Sequence, residues 1–211
     1  MTSIENWAEN LANWAIPQSI LEQAPESPWI HPPELFVAAK KIEQSPSHLR
    51  ALEALPKGGS VLDVGCGGGV AAFACSTKAI EVIGVDHQPE MLEMFAKRAD
   101  VEKLKHQEFL GDWPEISSQV PSADVVTCHH VVYNVSEIKN FLLALDSHAS
   151  KRVVIEMPES HPLSNMSEAW KHFWHLERPT KPVASDLIEV LNEIGVNLSL
   201  IHISEPTRPE R

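Results

Sequence analysis

Apolar positions at the start of the chain recur at helical spacing. Ile4, Trp7, Leu11 and Trp14 share one face, which predicts an amphipathic helix that Pro17 ends or follows. Residues 24–33 hold too many prolines for a helix interior. Two further helices are expected over 33–44 and 46–55, the second with Ser45 as its N-cap. The pattern changes at Pro56-Lys57-Gly58-Gly59. From there, short apolar runs alternate with helical periods. Strands are predicted over 61–64, 81–85, 103–109, 123–128 and 152–157. Helices are predicted over 69–77, 89–98, 136–148, 166–176 and 185–194, the last closed by Gly195. This alternation belongs to the α/β class: a mostly parallel sheet with helices on both faces. Residues 1–57 are expected to form an N-terminal helical cap, and residues 58–197 the main domain.

Composition narrows the functional classes. A chain of 211 residues holds one α/β domain and a modest appendage. No apolar run approaches the ~20 residues that span a bilayer, so no membrane partner is expected. With Glu5 and Glu9 and no basic cluster, no secretory leader is expected, and a cytoplasmic location is expected. The net charge of −12 argues against a nucleic-acid partner, because basic groups such as Lys40-Lys41 and Lys97-Arg98 are short. Cys66, Cys75 and Cys128 fit neither a zinc site nor a disulfide framework and are read as reduced thiols. No metal is expected: the spacing of Glu156, His161 and His175 defines no ligand geometry. Oligomeric state is left open. Residues 198–211 are set aside, because Leu198 to Arg208 match the translation of a transposase adapter used in DNA library preparation. The natural sequence is therefore expected to end in this chain at about Asn197.

The candidate chemistry centres on Val61-Leu62-Asp63-Val64-Gly65-Cys66-Gly67-Gly68-Gly69, which follows a strand and opens a helix. Glycines let the backbone turn and a ligand approach, and the helix start offers free N–H groups. Asp86 ends the second strand, where an acid can accept from both hydroxyls of a ribose. Gly111-Asp112-Trp113 follows the third strand; Asp112 can accept from an adenine amino group and Trp113 can pack on the ring. Thr127-Cys128-His129-His130 follows the fourth strand.

These motifs, in this order, resemble those of the class I S-adenosylmethionine-dependent methyltransferases, in particular the "type 11" group. Asp63-x-Gly65-x-Gly67-x-Gly69 is similar to that family's first motif, Asp86 to its ribose-binding acid, Gly111-Asp112-Trp113 to its adenine contact, and Ala123 to Val131 to its fourth motif. The likeness covers about residues 58–197. It implies a Rossmann-like three-layer sandwich, S-adenosylmethionine as cofactor, and cofactor contacts at Asp63, Gly65, Cys66, Gly67, Gly69, Asp86, His87, Asp112, Trp113, Cys128 and His129. It implies little about the acceptor, because the fold hosts many. The family's sheet has seven strands, whereas this chain has room for five and the start of a sixth at Val196-Asn197. The C-terminal strands are therefore expected to be missing, leaving an exposed sheet edge beside the fifth strand.

His129 and His130 are the candidate catalytic residues, as general bases toward a hydroxyl or thiol acceptor; the competing reading has one lining the cofactor pocket and the other packing in the core. Tyr133 and Asn134 are candidates for the same pocket. Cys128 follows a threonine rather than a proline and is read as a buried small residue, not a nucleophile. Trp7, Trp14, Trp29, Trp170, Phe173 and Trp174 form either an apolar lid over an acceptor pocket or ordinary core. A lid favours a small-molecule acceptor. Two rival functions stand beside methyl transfer. An NAD(P)-dependent oxidoreductase is suggested by Gly67-x-Gly69-x-x-Ala72 with Asp86, but an acid beside the loop would repel a pyrophosphate. The other is a non-catalytic binding or regulatory protein that keeps the fold.

Overall fold

The structure is a computed structural model that describes residues 1–23, 32–36 and 42–201. Five strands, β1 (Gly59–Val64), β2 (Ala79–Asp86), β3 (Lys105–Leu110), β4 (Ala123–His129) and β5 (Ala149–Glu156), form one sheet in the order β3-β2-β1-β4-β5. Every pairing is parallel. The helices are α1 (Ser3–Ala12), α2 (Gln18–Leu21), α3 (Pro46–Ala54), α4 (Val70–Phe73), α5 (Pro89–Glu102), α6 (Ile138–His148), α7 (Ser167–Trp174) and α8 (Ala184–Glu193).

Strand side chains alternate between faces, and this period builds two cores. Leu62, Val64, Ile83, Val85, Val126 and Cys128 face α6, α8 and Trp7 of α1. Val61, Val82, Val125 and Val154 face α3, α4 and α5. The result is the three-layer sandwich expected for this chain. By the same alternation, Asp63 and Thr127 fall on the α3–α5 face, and the strand register sets them side by side.

Local signals explain the helix ends. In α1, the Thr2 hydroxyl accepts from the Glu5 N–H at 3.1 Å, and the Glu5 carboxylate accepts from the Thr2 N–H at 2.9 Å. Ser45 caps α3 as predicted, accepting from the His48 N–H at 3.2 Å. Trp7 is fully buried, and its indole N–H donates to the Val135 carbonyl at 2.8 Å. The first helix therefore shares the core of the sheet.

Several expectations are corrected. The helix predicted over 33–44 is a single 3₁₀ turn, Pro33–Phe36, within the described residues; 42–44 are not helical and 37–41 lie outside them. The helix predicted over 69–77 is helical only over Val70–Phe73. Val196 and Asn197 start no strand, because the Val196 N–H turns back to the Leu191 carbonyl at 3.0 Å and closes α8. Trp29, most of the proline-rich stretch and the adapter-like residues from 202 onward lie outside the described residues. Among the described residues β5 ends the sheet, with Ser150, Lys151 and Arg152 exposed on it.

Candidate active site

The strand order reverses between β1 and β4, which opens a crevice at their carboxyl ends. The glycine loop lies there. Gly65, Gly67 and Gly69 have φ of +70°, +48° and +78°, a region that β-carbon-bearing residues avoid. The N–H groups of Gly65 and Cys66 both donate to the Val85 carbonyl, at 2.8 and 3.0 Å, which pins the loop to β2. A Cβ on Gly65 would collide with the Val131 side chain, so the β4–α6 connection rests directly on the glycine loop. Phe36 lies over Gly67 from the other side, its ring 3.2 Å from where a Cβ would stand. Nothing in the sequence pattern marked Phe36.

Two carboxylates serve this loop differently. Asp63 is 2% exposed and lies beneath it. Its Oδ1 accepts from the Thr127 hydroxyl at 2.8 Å and its Oδ2 from the Ala72 N–H at 3.3 Å, so it ties β1, β4 and α4 together. Burial pushes its pKa up to about 7, against the pull of these two donors. Asp86 closes β2. Its Oδ2 accepts from the Gly67 N–H at 2.9 Å and its Oδ1 from the Gln88 N–H at 3.0 Å. Among the described residues, each Asp86 oxygen thus accepts from one backbone N–H, which leaves it a second lone pair.

The other predicted residues separate into rim and core. His87 and Asp112 are exposed at the ends of β2 and β3. Gly111 links these ends, its N–H donating to the Asp86 carbonyl at 3.0 Å. Cys66 and Cys128 are buried, and burial pushes both thiols up, away from the reactive thiolate. Trp113 is placed differently from the expectation of a ring open to a purine. It is 8% exposed, directs its indole N–H to the Phe141 carbonyl at 3.4 Å and meets the His148 ring edge-on, so helix α6 takes its surface. Tyr133 is likewise core: it stacks on Trp7, and its hydroxyl reaches the Pro158 and Glu159 carbonyls at 3.0 Å. Trp7 and Trp14 are buried too, Trp14 stacked on His161 at 3.9 Å between ring centres. The lid reading therefore loses both. Phe173 and Trp174 stay exposed on α7.

The two histidines after β4 sit in unlike surroundings. His129 is largely buried, stacks on His48 of α3 at 5.6 Å, and has its Nδ1 3.8 Å from Glu156 Oε2. Burial lowers its pKa to about 4, with Glu156 opposing and the neighbouring His48 and His130 assisting. Its buried Nε2 has no hydrogen-bond partner among the described residues. His130 is exposed, with its Nε2 3.4 Å from Glu156 Oε1. The His130 contact is also the largest influence on Glu156, whose pKa is lowered to about 2. Glu156, the last residue of β5, was noted in the sequence only as an unsupported metal ligand. Among the described residues no group of three His, Cys, Asp or Glu side chains could hold a metal ion, and no helix is long and apolar enough to cross a membrane.

Comparison with known proteins decides the family. A family model described as "Methyltransferase domain" matches residues 39–198. The chain belongs to the class I S-adenosylmethionine-dependent methyltransferases. It is 33% identical over 91 residues to the mitochondrial ubiquinone biosynthesis O-methyltransferase of Schizosaccharomyces pombe, a match covering 42% of this chain and 33% of that one. It is 34% identical over 82 residues to the uncharacterized methyltransferase YcgJ of Bacillus subtilis, covering 37% and 32%. These matches span about a third of each relative's length. The fold is shared with the magnesium protoporphyrin IX methyltransferase of Synechocystis PCC 6803, crystallised with SAH, at a TM-score of 0.54, 19% identity, and coverage of 70% of this chain and 67% of that one. A methyltransferase family places the oxidoreductase reading aside.

Proposed function

We propose that this chain binds S-adenosylmethionine across the ends of β1 and β2 and directs methyl transfer to a hydroxyl oxygen of a small molecule. The observation that carries this reading is the Asp86 carboxylate, tied to the Gly67 N–H of the glycine loop with a lone pair left on each oxygen. That pairing suits two ribose hydroxyls, which are donors. The cofactor fits the loop on charge as well. The Asp86 carboxylate beside it favours a sulfonium cation and opposes a dinucleotide pyrophosphate.

When bound, the cofactor supplies an electrophilic methyl group on a sulfonium. In this reading Gly65, Gly67 and Gly69 let it approach the backbone, Asp86 with His87 beside it orients the ribose, and Asp112 receives the adenine amino group. Asp63, Cys66 and Cys128 support the loop from below without touching the ligand, and Trp113 stays in the core. Residues 58–197 carry the site, with 1–57 as an attached helical segment. Orientation of donor and acceptor provides much of the acceleration. The hydroxyl acceptor is suggested by the O-methyltransferase relative and by titratable histidines beside the loop, since a hydroxyl must lose its proton.

Calorimetric titration with S-adenosylmethionine, S-adenosylhomocysteine and NADH tests this reading, with Asp86→Ala as the variant. Each charge-assisted bond to ribose is worth about 1.5–3 kcal/mol, so the variant should bind the sulfur nucleosides at least ~10-fold more weakly. Equal affinity in the variant, or binding of NADH alone, would overturn the assignment.

A further inference from the structure

Resting on the methyl-transfer reading, we propose that His130 is the base that takes the acceptor proton and that Glu156 is its positioning residue. Three observations converge on His130. Its ring is exposed, whereas that of His129 is packed against His48. It immediately precedes Val131, whose side chain rests on Gly65, so the backbone that carries it packs on the glycine loop. Its backbone is held at φ +62° while its N–H donates to the Glu156 carbonyl at 2.7 Å. A left-handed non-glycine residue persists only where its surroundings hold it, and such residues gather at functional sites.

Glu156 grips His130 twice, through its own carbonyl and through the Oε1 contact to Nε2 at 3.4 Å. A carboxylate only accepts, so this contact favours the tautomer with the hydrogen on Nε2, which leaves Nδ1 as the acceptor. The groups facing Glu156 from the packed elements are Ser45, Ser47 and His48 at the start of α3, with Ser45 Oγ at 3.4 Å and the Ser47 side chain also hydrogen-bonded to the carboxylate, and His129 and His130 after β4. These are hydrogen-bond donors and imidazoles, and none among the described residues is a second carboxylate, so Glu156 is held ionised and oriented. In the transfer step the acceptor oxygen gains the methyl carbon. The sulfonium S–C bond breaks with its electron pair left on sulfur, and the hydroxyl proton goes to Nδ1 of His130 and then to solvent.

The test uses the full chain, with catechol as acceptor probe, and has a readout independent of turnover. Nitrogen-15 NMR of the imidazoles should show His130 as the Nε2–H tautomer; Glu156→Gln should shift it toward a mixture, and Glu156→Asp should keep it largely in place. With catechol, His130→Gln should lower kcat by ~100-fold and Glu156→Gln by ~10-fold or more, with S-adenosylmethionine affinity within about twofold of wild type. Glu156→Asp should recover part of that loss, and Glu156→Gln should cost nothing further once His130 is replaced. An unchanged tautomer in Glu156→Gln overturns the positioning role whatever the activity. Unchanged kcat in His130→Gln overturns the base. A wild-type chain that binds S-adenosylmethionine but methylates no catechol overturns the hydroxyl reading on which the base rests, and one that binds none overturns the proposed cofactor while the tautomer result still judges the pairing.

Discussion

Asp63 offers a test with an unusual sign. Replacing a buried, doubly hydrogen-bonded aspartate usually destabilises. Here burial raises the folded pKa to about 7, from the ordinary 3.8. The unfolded chain releases this proton near pH 4 and the folded chain holds it to about pH 7, so stability falls as pH rises through that window. At ~1.4 kcal/mol per pKa unit, the ceiling on the loss is roughly 4 kcal/mol by pH 8. The side-chain amide introduced by Asp63→Asn would not titrate. Its oxygen can accept from the Ala72 N–H, and its NH₂ can donate to the Thr127 oxygen, while the Thr127 hydroxyl keeps the Leu62 carbonyl at 3.4 Å as its acceptor. Asp63→Asn should therefore be more stable than wild type by about 1–4 kcal/mol at pH 8, with the gap closing toward pH 4. Urea unfolding followed by tryptophan fluorescence at pH 4, 6 and 8 measures it, provided the m-value holds. His129, His161 and Glu156 titrate in acid in both proteins and cancel in the difference. A variant less stable than wild type at pH 8, or a gap that ignores pH, would show that Asp63 is ionised in the fold and stabilised by its donors.

Gly65→Ala must strain φ +70° and push the new methyl into Val131; a loss of about 1–3 kcal/mol in urea is expected, together with lost nucleoside binding, and Val131→Ala should relieve part of the stability loss. Because burial holds His129 neutral down to about pH 4, against 6.5 unfolded, His129 should contribute a loss of about 1–3 kcal/mol between those values as pH falls, opposite in sign to the Asp63 contribution. The stability difference between His129→Asn and wild type should carry that slope; a difference independent of pH would exclude His129 as its source. Trp7→Ala removes a fully buried ring and strands the Val135 carbonyl, so a cost of about 3–5 kcal/mol is expected by thermal or urea unfolding, and a loss below ~1 kcal/mol would show that α1 is not part of the core.

The fold was largely legible because its signals are local. Each of the five predicted strands exists, since apolar runs bounded by glycine, proline and charge have few other places to go. Ser45 and Gly195 marked helix ends because capping needs only neighbours. Where prediction failed, a longer-range or short-range competitor won. The helical pattern after Gly69 is cut short at Phe73 by turns through Cys75 and Ser76, whose N–H groups bond three residues back. Trp113, beside Asp112 after the third strand, reads in sequence as able to pack on a purine ring; what the sequence did not show is that α6 covers its ring in this structure.

The site divides along the same line. The glycine loop and Asp86 could be read in sequence, because a loop and the acid about twenty residues beyond it are coupled by a single β–α–β crossover of fixed hand. That Asp63 faces Thr127 was in principle readable from strand alternation, but only once β4 is known to lie beside β1. The grouping of His48, His129, His130 and Glu156 was not readable at all. These residues come from α3, the end of β4 and the end of β5, and only the sheet order sets His129 opposite Glu156 and lays α3 over both. The sequence by itself determined the elements, the loop and the family of chemistry, because those depend on neighbours along the chain. Which histidine is buried, and which is exposed beside the Glu156 carboxylate, was decided by tertiary packing, because burial and charge depend on neighbours in space.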